Sequence, residues 1–412
     1  MPNYSTGSCT IEPAVTTPTT ERSEITEAKS AAQAGVAAAR EDLIEISLEI
    51  HANPELAMEE RRASSLLAAR LEDRGFAVER GAFGLETAFH ARWGEGPVTL
   101  AYLCEYDALP EIGHACGHNL IATAGLGGAL GLKGAVSPDA VTLIVLGTPA
   151  EEDIGGKAII IARGAFDGVD AALMAHPAPF DIDAPPMYGV ESCEVTYKGR
   201  AAHASVAPET GINALDGLVT AYQAIAQLRQ HMRRDARVAG IITYGGSAHN
   251  VVPDRAEGSF EVRALRPAYL ADLKSRVIRC FEAGAQASGA ELEVKWGSFV
   301  YEPMNNNMAV ASAYKANAEA LGRKFLEIPV DSTGSSDMGN VSWVVPSIHP
   351  TFAIGAMALN HTPGFTQISA TDAAHESMLQ VAQALAMTGV DLVLDSDLLA
   401  RAQAEFRGAP RP

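Results

Sequence analysis

In "VTLAYLCEYDALPEIGHACGHN", residues 98–119, a short apolar run leads directly into a dense group of polar side chains. The run at 98–103 has the length and near-continuous hydrophobicity of a strand that is buried on both faces. Similar runs at 140–147 and 169–176 follow, and the first of them comes after a small-residue helical segment at 119–133. This alternation of strands and helices predicts an α/β catalytic domain with a mostly parallel sheet.

Each apolar run leads into side chains that bind divalent cations. In chain order these side chains are Cys116, His118, Glu151, Glu152 and His176. Because open α/β sheets bind ligands beyond the carboxyl ends of their parallel strands, the five side chains are expected at one edge of one sheet. Histidine and cysteine favour zinc-like ions. The convergence predicts a metal centre rather than isolated buried residues.

The spacing inside this group suggests different roles for neighbouring residues. Cys116 and His118 are two residues apart, so in an extended segment they project to the same side. His114 either binds metal or orients a ligand by hydrogen bonding, and we favour the second role. Adjacent Glu151 and Glu152 point in different directions. One of them can bind a metal ion that lowers the pKa of a water molecule from ~15.7 to about 7, and the other can take the proton.

From about residue 190 the pattern changes to half-exposed strands. The predicted elements are a strand through Cys193, Val195 and Tyr197, a helix at 212–232, strands at 238–245 and 257–265, a helix at 268–287 and a strand at 291–300. Their β-α-β-β-α-β order is that of a ferredoxin-like unit, which we expect to be inserted in the catalytic domain.

These patterns divide the chain into four segments. The first 28 residues are rich in Thr, Pro, Ser and Glu, which predicts a disordered tail. The predicted division is therefore a tail at 1–28, a catalytic domain formed by 29–188 and 303–412, and a lid or dimerisation domain at 189–302. A chain of 412 residues exceeds the ~250–300 residues of a single core.

Composition excludes several classes of partner. The net charge of −19 argues against nucleic acid, which requires a basic face. Unbroken apolar runs are shorter than the ~20 residues that span a bilayer, so no membrane partner is expected. The five cysteines are odd in number and widely spaced, which predicts no disulfide framework and favours the cytoplasm.

The order of several motifs resembles one family of metallohydrolases. The motifs are "EIHANPELAMEE", "YDALP", "GHACGHN", "GTPAEE", "AHP", "KGRAAHAS", "GGSAHNVVPD", "SSDMGN", "VPSIHP" and "NHTPGFT". Together they resemble the aminoacylase and carboxypeptidase family, peptidase family M20, subfamily D. The branch that looks most similar contains p-aminobenzoyl-glutamate hydrolase and β-alanyl-dipeptidase.

The resemblance implies a pair of divalent metal ions, zinc or manganese, and a set of residues that bind them. The implied ligands are Cys116, His118, Glu152, His176 and His361. Glu151 would be the general base, and Asp107 of "YDALP" would orient a ligand. The ligand His361 follows from the resemblance alone.

Two residues of the predicted insert match family residues that act across a subunit interface. His203 matches a histidine that helps to stabilise the oxyanion in the partner subunit's site. Asn250 matches a residue that contacts the substrate across the same interface. The resemblance therefore implies a homodimer formed through the insert.

This chain departs from the commonest family pattern at two positions. Asn119 replaces the acid that usually ends the cysteine motif, and Glu105 replaces the first acid of an Asp-x-Asp segment. Both departures fit the branch named above and weaken an assignment to the auxin-conjugate hydrolases.

The combined prediction is a cytosolic metal-dependent amidohydrolase that cleaves N-acyl or N-aroyl amino acids or small dipeptides. Arg263 in "FEVRA" either binds a substrate carboxylate or is an exposed strand residue. One alternative is a metal-dependent aminohydrolase that releases ammonia from an aromatic amine. Another is a non-catalytic metal-binding protein, in which Glu151 would have no purpose as a base.

Overall fold

The computed structural model describes residues 18–327, 333–355 and 357–409. Within these residues the strands are β1 (Ala77–Arg80), β2 (Phe89–Trp93), β3 (Val98–Glu105), β4 (Val141–Thr148), β5 (Ala171–Leu173), β6 (His176–Ala178), β7 (Gly189–Lys198), β8 (Ala236–Tyr244), β9 (Arg255–Ala264), β10 (Glu291–Trp296), β11 (Ser347–Ile348) and β12 (Thr351–Ala353). The helices are α1 (Pro18–Ala38), α2 (Arg40–Ala52), α3 (Arg61–Asp73), α4 (His118–Lys133), α5 (Gly156–Ile161), α6 (Ala214–Arg229), α7 (Pro267–Ser288), α8 (Met308–Ala320), α9 (Met338–Ser342), α10 (Pro363–Ile368), α11 (Asp372–Leu394) and α12 (Ser396–Gly408).

A six-stranded sheet lies at the centre of the catalytic domain, in the order β1-β2-β4-β3-β5-β11. The four strands β4, β3, β5 and β11 run parallel to one another. β2 and β1 add an antiparallel edge that the sequence patterns did not predict. The predicted mostly parallel α/β fold is confirmed, with this antiparallel extension.

Helix α4 is buried along almost its whole length between the sheet and α11. Its glycines permit this close packing: a Cβ at Gly131 would lie 2.7 Å from the Cβ of Ala386, and one at Gly125 would lie 2.4 Å from the carbonyl oxygen of Leu103. Among the described helices, α11 is the one that is long and apolar enough to cross a membrane, but 72% of its apolar window is buried inside the protein.

The inserted segment forms a second sheet with its own hydrophobic core. Its strands lie in the order β10-β7-β9-β8, and every neighbouring pair is antiparallel. Helices α6 and α7 pack on each other and on this sheet. The predicted β-α-β-β-α-β order is thus confirmed. The separate core supports the proposed domain division at 189 and 302.

Some predicted boundaries were wrong. Residues 18–28 of the predicted tail belong to α1, where Ile25 and Ala28 pack against the core on the stripe that continues to Ala32 and Val36. Residues 1–17 lie outside the described part of the chain. The single helix predicted from residue 29 to 52 is two helices that meet at Ala39. His176 begins a separate short strand, β6, which pairs with β12.

Candidate active site

The metal-binding side chains come together because the strands that precede them are parallel. In the register of β3 and β4, Glu105 is the partner of Thr148, so the chain leaves both strands at the same edge. The segment after β3 leads to Cys116 and then to α4, which begins at His118. This edge of the sheet is where open α/β folds bind ligands.

Three predicted ligands form one compact group at this edge. The Sγ atom of Cys116 lies 3.4 Å from Nε2 of His176. Together with a ring nitrogen of His118, these ligand atoms all lie within 4.8 Å of one another. The Nδ1 atom of His176 lies 2.7 Å from the carbonyl oxygen of Pro177, and donation to that oxygen leaves Nε2 free to bind a cation.

A second group shares the same thiol. Atoms of Cys116, Glu152 and His361 also lie within 4.8 Å of one another, and Nε2 of His361 is 3.4 Å from Oε2 of Glu152. The donor set of thiol, imidazoles and carboxylate suits zinc-like ions. The two groups, which share Cys116, would hold two divalent cations.

Asp107 connects two of these ligands. Its Oδ1 lies 3.1 Å from Nδ1 of His118, and its Oδ2 accepts a hydrogen bond of 2.9 Å from the backbone N–H of Glu152. The contact with Nδ1 leaves Nε2 of His118 as the ligand atom. The orienting role of Asp107 stays a prediction, and these two contacts are the ones through which it would act.

Glu151 and Glu152 have the different environments that the sequence predicted. Glu151 is buried and its carbonyl oxygen accepts a hydrogen bond of 2.8 Å from Tyr301. The residue before it, Ala150, has a left-handed φ of 61°, and its N–H donates to Oε1 of Glu60 at 2.8 Å. Such backbone strain is found where a structure fixes a functional residue in place.

Burial, and then the carboxylates of Glu105 and Asp337, hold the pKa of Glu151 well above its ordinary value. Burial also acts to raise the pKa of Glu152, but the hydrogen bond from His361 and the charge of His118 together outweigh it, so that this pKa is lowered. The two adjacent acids are thus separated in acidity, which is typical of a general base beside an ionised ligand.

The thiol of Cys116 is also electrostatically prepared for cation binding. Burial acts to raise the pKa of this thiol. The charge of His176 and the hydrogen bonds with His118 and His176 together outweigh burial, so that the pKa falls to about 6. Hydrogen bonds with Cys116 and Glu152 raise the pKa of His361 to about 10. To hold a cation, Cys116 would be a thiolate and His176 and His361 would be neutral, so metal binding would release the imidazole protons.

A cavity of about 940 Å³ opens in front of these groups and is lined by both domains. Arg263 and Glu261, two residues apart on β9, lie on its wall together with Ser335. The guanidinium of Arg263 donates to Oε2 of Glu261 at 2.7 Å and to Oγ of Ser335 at 3.1 Å. Arg263 therefore faces the cavity, and this placement favours the substrate-binding alternative over an exposed strand residue.

Three predicted site residues lie elsewhere. His203 and Asn250 are exposed on the insert and do not line the cavity. The chain segments that carry them lie side by side, since the backbone N–H of Ala204 donates to the carbonyl oxygen of Asn250 at 3.0 Å. His114 is buried, with Nε2 3.1 Å from the carbonyl oxygen of Ile50 and its ring against His51. Within the described residues its ring makes no hydrogen bond to a predicted ligand, so the ligand-orienting role is not supported.

The sequence reasoning missed several polar residues at the site. Lys157 is fully buried, with Nζ in contact with Glu105 and 2.7 Å from Oδ1 of Asp337. His349 is buried with its ring 5.6 Å from that of His176. His349 belongs to the motif "VPSIHP", which did not indicate that the side chain lies beside the metal-binding groups, and Lys157 lies outside the motifs.

Comparisons with known proteins agree with this geometry. Residues 188–287 match a peptidase dimerisation domain of the M20 type. The chain is 41% identical over 387 residues to Xaa-Arg dipeptidase of Mus musculus, covering 90% of each protein. The chain belongs to the M20 peptidase family.

Two other M20 proteins show how widely the likeness extends. The chain is 29% identical to one of the chains of p-aminobenzoyl-glutamate hydrolase of Escherichia coli (strain K12), covering 90% of this chain and 93% of that one. A Bacillus subtilis structure described as a dinuclear metal binding peptidase from the M20 family has a TM-score of 0.69 at 22% identity, covering 87% of this chain and 99% of that one.

Membership of the family confirms the main functional predictions. The protein is a metal-dependent hydrolase of amide bonds, as the motif order implied. Neither the aromatic aminohydrolase alternative nor the non-catalytic metal-binding alternative is favoured by these relatives.

Proposed function

We propose that this M20 enzyme is a dipeptidase that removes a basic C-terminal residue from small dipeptides. The observation that carries the proposal is the cavity, which joins the metal-binding groups to Arg263 and Glu261 on one wall. The identity to Xaa-Arg dipeptidases of mouse and human, 41% and 40%, supports a basic C-terminal residue.

The charges on the cavity wall suit the two ends of such a substrate. Arg263 is the one lysine or arginine among the described lining residues, and its planar guanidinium suits the α-carboxylate of the C-terminal residue. Four carboxylates line the same cavity, Glu151, Glu152, Asp153 and Glu261. Glu261 forms an ion pair with Arg263 in this structure. When the α-carboxylate of the substrate binds Arg263, Glu261 is proposed to attract the cationic side chain of the same substrate residue.

Glu151 is the proposed general base. When bound, the divalent ions supply a water molecule of lowered pKa and polarise the amide carbonyl. The side chains proposed to bind them are Cys116, His118, Glu152, His176 and His361. Glu151 accepts the proton of the attacking water and then passes it to the departing amine. Its raised pKa fits this work, since a base must hold the proton until the amine leaves.

His203 and Asn250 are proposed to complete the site of a second subunit. They do not line the cavity of their own chain, and the edge strand β8 beside them exposes Ile241, Ile242 and Tyr244. An unpaired edge with exposed apolar side chains is a ready surface for pairing. We therefore propose a homodimer through the insert, in which His203 stabilises the oxyanion of the partner.

A cytoplasmic location belongs to the same proposal. The four cysteines of the described residues, Cys104, Cys116, Cys193 and Cys280, are all free. A thiol that serves as a metal ligand requires reducing surroundings, because oxidation to a disulfide would remove it.

The experiment that tests the function is a substrate panel with metal-stripped and metal-reconstituted protein. The panel contains dipeptides with C-terminal Arg, Lys, Ala or Glu, N-acetyl and N-benzoyl amino acids, p-aminobenzoyl-glutamate and aryl amines. We expect metal-dependent cleavage with the highest kcat/KM for C-terminal Arg or Lys. Preference for acyl-amino acids would move the assignment to an aminoacylase, and ammonia release from aryl amines would contradict it.

A further inference from the structure

We infer that Glu105 is an additional protein ligand of the metal centre, sharing the cation that His118 binds. Glu105 is not among the ligands implied by the family motifs. The inference rests on the metal centre of the proposed function. The observation behind it is a close contact between two buried acceptor atoms.

The contact joins Oε1 of Glu105 to Nε2 of His118 at a distance of 3.1 Å. Neither atom has a hydrogen-bond partner of good geometry within the described residues, although both side chains are 0% exposed. Oε1 of Glu152 is likewise buried and unpartnered, and it lies 3.7 Å from the same Nε2. Two unpartnered carboxylate oxygens thus lie near one unpartnered ring nitrogen, in a place where leaving each of them unpaired is costly.

The orientation of the ring is suited to a cation at this place. Asp107 lies 3.1 Å from Nδ1 of His118, which leaves Nε2 directed at Oε1 of Glu105. Metal binding requires a neutral histidine, so a cation held by Nε2 would satisfy both this nitrogen and the carboxylate oxygen.

The distance suits a shared ion. Two ligands bound to one zinc-like ion at about 2.0–2.2 Å lie about 2.8–3.6 Å apart when their bonds meet at roughly 90–109°. The separation of 3.1 Å between Glu105 and His118 falls in this interval. Glu105, His118 and Glu151 each offer a ligand atom within 4.8 Å of the others, so the carboxylate is within reach of the proposed centre.

The other oxygen of Glu105 is held by a buried network. Nζ of Lys157 contacts Oε2 of Glu105 and lies 2.7 Å from Oδ1 of Asp337. The backbone N–H of Lys157 donates to Oδ2 of the same aspartate at 2.8 Å. Lys157 therefore fixes one oxygen and leaves the other directed at His118. This is the arrangement by which neighbouring groups commonly orient metal ligands.

An additional carboxylate alters the preference of the centre among metals. Carboxylate ligands suit Mn²⁺ better than thiolate and imidazole do. Loss of Glu105 is therefore expected to weaken Mn²⁺ binding more than Zn²⁺ binding.

The test measures metal content and affinity rather than turnover. The full-length protein and the variants Glu105→Gln, Glu105→Asp and Asp337→Asn are stripped with chelator, titrated with Mn²⁺ or Zn²⁺, and analysed for ions per chain. Glu105→Gln keeps the ion pair between Lys157 and Asp337, which favours folding. Glu105→Asp keeps the charge and withdraws the carboxylate by one methylene. Asp337→Asn disturbs the same lysine without touching the centre.

We expect both Glu105 variants to lose about tenfold or more in affinity for one Mn²⁺ ion, with a smaller loss for Zn²⁺, while Asp337→Asn stays close to the parent. Unchanged Mn²⁺ affinity in both Glu105 variants would overturn the inference. An equal loss in Asp337→Asn would also overturn it, because the effect would then come from the lysine network. If Glu105→Gln does not fold, Glu105→Asp and Asp337→Asn still decide the question. A parent protein that binds no ions would instead refute the proposed function.

Discussion

A single carboxylate, that of Asp107, contacts both the ring of His118 and the backbone N–H of Glu152, at 3.1 Å and 2.9 Å respectively. The two proposed ligands come from different loops, so this contact fixes their relative positions. Burial acts to raise the pKa of the Asp107 carboxyl, but His118 and the N–H of Glu152 together outweigh burial and lower it. Asp107 therefore remains ionised and oriented in the folded protein.

Asp107→Asn should reduce metal affinity by about 10–100-fold, because the amide cannot accept from both groups as well as a carboxylate does. Metal titration of the stripped protein measures the loss. Asp170→Asn is the matched control, since Asp170 also accepts two hydrogen bonds, from Thr99 and Gln403, near the opposite end of β3. Equal affinities for Asp107→Asn and the parent would show that Asp107 does not orient the ligands.

Subunit complementation tests the role of His203 across the dimer. His203→Ala and Glu151→Gln should each be inactive alone. Heterodimers of the two should contain one intact site, so mixing with subunit exchange should restore about a quarter of the parent activity by statistics alone. The restored activity is followed on a dipeptide substrate.

The control for this experiment mixes His203→Ala with Asn250→Ala. Each of these chains gives its partner one altered residue, so every site remains deficient and activity should not return. Failure of the first mixture to recover, with subunit exchange verified, would place His203 outside the partner's site.

Arg263→Lys should raise KM more than it lowers kcat, because lysine cannot bind a carboxylate through two parallel hydrogen bonds. We expect kcat/KM to fall about 10–100-fold for dipeptides with a free C-terminal carboxylate. The same dipeptides with an amidated C-terminus serve as the chemical control and should be affected little. A uniform loss for both substrate forms would mean that Arg263 supports the cavity wall without binding the carboxylate.

Glu60 makes the stability of the metal-free protein depend on pH. Burial raises the pKa of this carboxyl to about 7 from an ordinary value of 4.5. Between those two values the folded protein holds a proton that the unfolded chain has released. The free energy of unfolding therefore falls as the pH rises from 4.5 to 7, and this contribution is constant above 7.

Glu60→Gln cannot titrate and can still accept a hydrogen bond from Ala150. The free energy of unfolding of Glu60→Gln minus that of the parent should increase from pH 5 to pH 8 by on the order of 1–3 kcal/mol. Denaturant unfolding of the stripped proteins at both pH values measures this difference. Glu59→Gln, at the exposed neighbouring position, should show no such trend, and the absence of a trend in Glu60→Gln would contradict the assignment.

The sequence predicted the parallel strands and the polar side chains that follow them, because strand length, hydrophobicity and the geometry of sheet edges are local and general properties. It located Cys116, His118 and His176 for the same reason. His361 could not be derived in this way, since it lies in a loop with a left-handed φ of 63° and a side chain that is 56% exposed. Only the family motif indicated it.

Other features depend on contacts that a single sequence does not display. The helical stripe that includes Ile25 and Ala28 was hidden by a composition typical of a tail. The residues around Lys157 in the sequence do not indicate its burial, which follows from its ion pairs with Glu105 and Asp337. His114, which lies two residues from Cys116, was expected to assist a ligand but contacts Ile50.

The most direct test of the account is the metal content and the turnover of Glu151→Gln, measured on the same preparation. Glu151 is proposed to take protons, and the five proposed ligands are other side chains. We expect two bound ions per chain, as in the parent, and a loss of kcat by about 10²–10⁴-fold on a C-terminal Arg dipeptide. Parent-like turnover by the fully metallated variant would show that Glu151 is not the general base.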